Sequence, residues 1–531
     1  MGEADLILYN GRVHTMEPSQ PVQQAVAIAG DRIVAVGQDR DLIAWKGPHT
    51  ELLDLQGRPL IPGLIDGHVH FGAYAQSLQR IDLAEVDSLQ EVVRRVAARA
   101  ATAAPGEWLL GWGWNHNLWA EGRFPRKEDV DHLTGDHPMA LRSKDGHVAW
   151  VNSVALRLAH IDRDTHDPAG GEIERDSATG EPTGILKETA EGLLSGLIPP
   201  VDIHAMQSLL RQAFANAQSW GLTGVHNREG ADELAAFQEM MRRGEMGLRV
   251  YTSIPAESLD AAIALGIRSG FGNEWLRIGG VKIFCDGALG ARTADMLKPY
   301  EDEPQNRGIE VTSAAELREL VGRAARHGIH ATIHAIGDRA NRRALDALAE
   351  VHRAGLGSGL RHSIEHVQLL HPDDLPRLAT LGVVASMQPI HATSDWRMAD
   401  QHWGRRARYS YAWRSLLNAG THLSFGSDCP VEPLNPLYGI YAAVTRQRPD
   451  GTPAGGWYPE ERLTVEEAVR GFTLGPAYAS GEETLKGSIA PGKLADLVVL
   501  DQDIFSLPPA AILETRVDYT ILGGHIVFSK A

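Results

Sequence analysis

The chain has 531 residues, 43% of them hydrophobic and 22% charged, with a formal net charge of −17. That balance belongs to a soluble globular protein too long for one ordinary core. The acidity argues against nucleic-acid binding and against attraction to anionic membranes. Only two cysteines, Cys285 and Cys429, occur, which excludes a disulfide-stapled scaffold and suits a reducing cytosol.

The N-terminus, MGEADLILYNGRVHTM, lacks the basic start and long apolar run of a signal peptide. No apolar stretch reaches membrane-spanning length, so a cytoplasmic protein is expected. Residues 5–60 read as short strands with Gly-Asp turns, and ADLVVLDQD and YTILGGHIVFSK near the C-terminus read likewise. Neither end has enough strands to bury a face alone. Residues 1–61 and 480–531 are therefore expected to pair as one small β-sandwich.

Between the ends, residues 62–479 alternate apolar strand runs with amphipathic helices, the pattern of a parallel α/β domain. Candidate strands end near His70, Arg228, Ile254, Phe284, His334, His366, Gln388 and Ser427. Eight strand–helix units predict a closed (β/α)8 TIM barrel. Ser313 with Glu316, and Thr464 with Glu467, have capping-box spacing ahead of apolar helical faces. Residues 71–200 break the rhythm and read as an insertion after the first strand, expected over the barrel mouth. Its tryptophans Trp108, Trp112, Trp114, Trp119 and Trp150 are expected chiefly in the insertion's own core, with Trp114 reaching substrate.

The chemistry lies at the strand ends. In HVH, side chains alternate, so His68 and His70 face the same way and can grip one ion. Two imidazoles suit zinc and other first-row metals. An HxH pair alone is weak in a chain with 23 histidines. The buried run before it, and His334 and His366 at later strand ends, strengthen it. Asp428, closing LSFGSDCP, can bind a metal and accept a proton from activated water. Cys285 and Cys429 fit buried packing positions better than ligand positions.

Taken in order, PGLIDGHVH, VKIFCDGALG, IHAIGDRA, IEHVQ, GSDCPVEPLNP and GSIAPGKLADLVVLD resemble the metal-dependent amidohydrolase superfamily, in its amidohydrolase-3 branch. The resemblance covers nearly the whole chain. It implies one or two divalent ions, zinc for preference, with His68 and His70 on the more buried and His334 and His366 on the more exposed. It also implies that Lys282, carboxylated on its amine, bridges them while Asp428 completes the site. A carbamate is anionic and bidentate, whereas an ammonium beside two cations is repelled. A lysine facing Asp286 beside a single metal stays open. KDGHVAW resembles a segment that reaches the barrel mouth, so His147 is a substrate-contact candidate, together with Asp338 and Arg228. Asp338 could instead orient a ligand, and Arg228 and Arg446, candidates for pairing with a polar or anionic substrate group, could equally be structural salt-bridge partners.

The reaction implied is hydrolysis of a non-peptide C–N bond, a linear amide such as an N-formyl or N-acyl amine. Rivals are a heterocycle aminohydrolase, an esterase or lactonase, and a metal-binding protein without turnover. The aminohydrolase subgroup carries Glu three residues after the fifth-strand histidine, where this chain has Gly337. A small-molecule substrate is the expected partner, with no nucleic acid or membrane; a homo-oligomer stays open.

Overall fold

The computed structural model describes residues 2–530, with 85, 117–118, 144–147, 169–170, 200 and 291 excepted. Eight parallel strands form one sheet: β1 (Leu64–Val69), β2 (Leu222–Asn227), β3 (Arg249–Pro255), β4 (Leu276–Phe284), β5 (Ala331–Ala335), β6 (Ser363–His366), β7 (Val384–Met387) and β8 (Leu423–Phe425). Each pairs with the next in chain order. The chain beyond β8 closes the ring on β1, where Asp428 N–H donates to His68 O (2.7 Å) and His70 N–H to Cys429 O (2.9 Å). Most barrel-strand residues are buried, as expected of a parallel sheet covered on both faces. The result is a (β/α)8 barrel.

Helices between the strands follow their local chemistry. Ser313 Oγ accepts from Glu316 N–H at the start of Ala314–Arg326, which buries Leu317, Val321 and Ala324. Thr464 and Glu467 complete a reciprocal capping box at Val465–Gly471. No helix among the described residues is long and apolar enough to cross a membrane.

Strands from both ends of the chain build the small sandwich. One sheet runs Arg32–Gly37, Ala25–Ala29, Ala4–Tyr9, Lys46–Asp54. The other runs His525–Ser529, Val517–Leu522, Leu497–Leu500, Pro59–Pro62, Arg12–His14, Val22–Gln23. Leu6, Leu8, Val26 and Ile28 share a core with Leu60, Leu497, Val499 and Ile521. Arg249 at the start of β3 clamps Asp496 with two hydrogen bonds (2.6 and 2.9 Å), and both side chains are buried. Barrel and sandwich belong to one compact unit, residues 1–72 and 210–531.

Residues 73–209 form a second compact unit. Its six-stranded mixed sheet runs Gly171–Arg175, Pro182–Glu188, Val148–Val151, Met139–Ser143, Leu109–Trp114, Ile81–Asp82. The helix Leu89–Ala100 packs Val92 and Val96 against Trp114, Trp119, Trp150 and Leu141. Trp114, expected to reach substrate, has its ring fully buried in this core, and its indole N–H donates to Leu141 O (2.8 Å). Trp112, set on the other face of the same strand by an irregularity in register between it and Trp114, borders a cavity of about 350 Å³.

Candidate metal centre

β1 delivers His68, the residue just after it is His70, and the turn after β8 delivers Asp428. His68 Nδ1 lies 2.5 Å from Glu365 Oε2, a carboxylate on β6 that is itself fully buried. Nδ1–H is thereby donated, so Nε2 keeps its lone pair. That nitrogen is buried without a hydrogen-bond partner, yet stands 3.2 Å from Asp428 Oδ1. A lone pair facing a carboxylate oxygen at that range is repulsive unless a cation lies between them. His70 Nε2 is 3.4 Å from the same oxygen. The three donor atoms lie within 4.8 Å of one another. Two imidazoles and a carboxylate are a donor set for zinc and related divalent ions, so these residues fit the ion.

A second triad joins His366, His391 and Asp428 within the same limit. His366 Nδ1 is 2.8 Å from Gln388 Oε1, which fixes the tautomer and leaves Nε2 as the donor atom. His391 is differently placed. Its Nε2 is 3.2 Å from Asp428 Oδ2 and its Nδ1 is 3.4 Å from Glu432 Oε1. Burial works against its charge, but hydrogen bonds and attraction from both carboxylates raise it to about 10. With His391 engaged by both carboxylates, His68, His70 and Asp428 are the set whose donor atoms already converge on one oxygen. Burial likewise opposes the charge of Asp428, while the hydrogen bond from His391 helps hold its carboxyl well below the usual range.

Lys282, on β4, is buried and forms no ion pair among the described residues. Burial lowers its amine to about 8; Glu365 and Asp428 pull it up, and Arg228 pushes it down. Asp286 does not face it. That carboxylate instead accepts backbone N–H groups of Asp295, Ile336 and Gly337, and burial raises it to about 7.

Several expected residues take other positions. His334 packs 4.6 Å, ring to ring, from His366. Its Nε2 is 3.0 Å from Gly287 O, and it belongs to neither triad. Arg228 is a buried strut rather than a free cation, donating to Gly67 O (2.8 Å) and Ser253 Oγ (3.2 Å) beside Glu365 Oε1 (3.3 Å). Asp338 accepts Leu297 N–H (2.7 Å) and so anchors the loop after β4. Arg446 is fully buried, with Trp413 and Trp457 against its guanidinium and hydrogen bonds to Tyr411 O and Ser410 O. His147 and its neighbour Asp145 lie outside the described residues.

Three residues at the centre were not singled out from the sequence: Glu365, Asp66 and His391. Asp66 accepts His68 N–H (3.0 Å), Ser427 N–H and Ser427 Oγ–H (2.5 Å), pinning β1 to β8. Glu365 also accepts from Ser363 and Ser386. Burial opposes its ionisation, but Arg228 and His68 hold it well below the usual range. Alternation would send Glu365 and His366 to opposite faces. His366, however, has φ 74°, and this left-handed step at the strand end lets both side chains reach the centre. Such backbone collects at functional sites, and Asp428 shares it (φ 62°).

Residues 51–528 match the family described as "Amidohydrolase family". The chain is 32% identical over 534 residues to the putative amidohydrolase YtcJ of Bacillus subtilis, covering 99% of both. It is 30% identical to N-substituted formamide deformylase of Arthrobacter pascens, covering 99% of this chain and 98% of that protein. Among solved structures, an uncharacterized metal-dependent hydrolase from Pyrococcus furiosus superposes with a TM-score of 0.77. That structure is 30% identical, with 94% of this chain and 100% of the other covered.

Proposed function

Because the chain belongs to the amidohydrolase family, a family of metal-dependent hydrolases, we propose that it cleaves a non-peptide C–N bond in a linear amide, an N-formyl or N-acyl amine. The observation that carries the reading is the Asp428 carboxylate, held with one oxygen against His68 and His70 and the other on His391. When bound, a divalent ion supplies a Lewis acid and lowers the pKa of water. His68 and His70 would hold it, each imidazole presenting Nε2, with Asp428 as the third donor. Asp428 takes the proton of the attacking water and returns it to the departing nitrogen. His391, fixed by Glu432, holds the second oxygen of Asp428 and so keeps that carboxylate aimed. Glu365 keeps His68 in the tautomer that a ligand needs.

A carboxylated Lys282 belongs to this reading. A buried amine lowered to about 8 has a neutral fraction near pH 7 that can react with carbon dioxide. The deaminase alternative loses ground at Gly337, the position where that subgroup carries Glu. A Cβ there would sit 2.0 Å from Asp295 O, so the loop leaves no room for a side chain. The test is turnover of N-formyl, N-acyl, ester and heterocyclic amine substrates by metal-quantified protein, with and without chelator. Chelator-sensitive release of amine and acid supports the reading, and release of ammonia from a heterocycle refutes it.

A further inference from the structure

β4 ends on an exposed aromatic ring. Along the strand only Phe284 is exposed, at 45%, although alternation puts it on the same side as Lys282. Its ring centre lies 5.0 Å from Lys282 Nζ and 5.2 Å from the ring of His334, its register partner on β5. The ring therefore stands at the lip of the ligand cluster, half in water. A single exposed apolar residue on a surface needs no explanation, but this one has company. Val311, 54% exposed, is tied to the same stretch through Val311 N–H to Cys285 O (2.9 Å) and Thr312 Oγ to Phe284 O (2.7 Å). Ile309 beside it is also 54% exposed. Val431, at 64%, follows Asp428 by three residues and donates its N–H to Asp428 O (2.9 Å). In an eight-strand ring β4 and β8 are opposed, so apolar side chains flank the polar cluster from two directions. Folding gains nothing from leaving that surface wet, at about 25 cal/mol per Å².

We propose that Phe284 is a specificity-determining wall of the substrate site, seating an alkyl or aryl substituent carried by the scissile group. This rests on the hydrolytic reading above and narrows it to substrates with an apolar arm. Val431 bounds the arm from the other side. Small polar amides leave this surface exposed and are correspondingly poorer substrates.

The test compares N-benzylacetamide with N-methylacetamide in wild type, Phe284→Ala and Phe284→Leu. In wild type kcat/KM favours the benzyl substrate. In Phe284→Ala that ratio should fall about tenfold or more, carried by KM, and in Phe284→Leu by less. A merely structural ring would slow both substrates in proportion, and an unchanged ratio with unchanged metal content overturns the proposal. A binding arm keeps the question separate from the identity of the bond cleaved. 4-Phenyl-2-butanone and 2-butanone replace the amide nitrogen of the two substrates by carbon and cannot be hydrolysed. Saturation-transfer NMR on the metal-containing protein should show the phenyl ketone bound at least about tenfold more tightly, with that preference lost in Phe284→Ala. Failure of amide turnover with this preference intact would sink the amide reading alone. Equal binding of the two ketones by wild type, or a preference that survives Phe284→Ala, would sink this one.

Discussion

Asp428 and Lys282 carry the sharpest consequences at the scale of single residues. Asp428→Asn keeps an oxygen for the ion but cannot accept the water's proton, so turnover should drop at least about a hundredfold while bound metal is largely retained. Turnover within a few-fold of wild type at equal metal content would remove Asp428 from the base role. Lys282→Ala should lose activity together with at least one metal equivalent if a carbamate bridges two ions. Acetate or propionate should then restore part of it, and matched chloride should not. One metal in both proteins and no rescue would point to a mononuclear site. His68, His70 and Asp428 were legible from sequence because a buried strand end gives an imidazole or carboxylate no cheap alternative partner. His391 and Glu365 were not. His391 comes from the first turn of the helix Pro389–Trp403, where nothing local marks it. Glu365 faces inward in ordinary strand register with His334 and Ser386. Reading His366 as inward concealed it, because alternation allows only one of two neighbours and nothing in the sequence announces the left-handed φ of His366.

Among the elements, the strand ends were readable because parallel strands buried on both faces give short apolar runs with polar residues only at their tips. What the pattern hid is polar groups within the barrel wall. His330, buried, and His362, half-buried, stand immediately before β5 and β6; desolvation lowers them to about 3 and about 4. His330 Nε2 is 3.4 Å from Tyr251 OH, and His362 Nδ1 accepts Ala331 N–H (3.0 Å). In the unfolded chain each takes up a proton below about pH 6.5, and in the folded chain neither does until far lower. Their stabilising effect is thus complete above pH 6.5 and is lost as pH falls through the window from 6.5 to about 4. The free energy of unfolding should decline there by up to about 1.4 kcal/mol per pH unit for each histidine. In His330→Gln, denaturant unfolding at pH 4 to 6.5 should show a slope shallower by one histidine's share, whatever the overall offset. An unchanged slope would mean that His330 titrates normally.

For the whole molecule, pairing the two chain ends was deducible because neither had enough strands to cover a face. The clamp between Arg249 and Asp496 was not, since two charges 247 residues apart leave no sequence signal. Asp496→Ala would strand a buried guanidinium and should cost about 3–5 kcal/mol. Limited proteolysis should then cut first between the C-terminal strands and the barrel. Cleavage patterns matching wild type would show the clamp to be dispensable. The insertion was visible as a break in rhythm, but its tryptophans could not be assigned to core or surface without the sheet that buries Trp114.

The same shared sheet imposes an order in time. Pro59–Pro62 pairs with Leu497–Leu500, so the first of these segments is synthesised 435 residues (497 − 62) before its neighbour exists. At ~5–20 residues per second, the N-terminal strands wait about 20 to 90 s with an open edge, while every barrel strand emerges in between. An edge of that kind is a template for association with other chains. A ribosome-held chain stopped near residue 490 should accordingly be cut readily within its first 62 residues, even where the barrel already resists protease. Protection appearing only once the last strands leave the ribosome would mark the closing of the terminal sheet as the final event of folding.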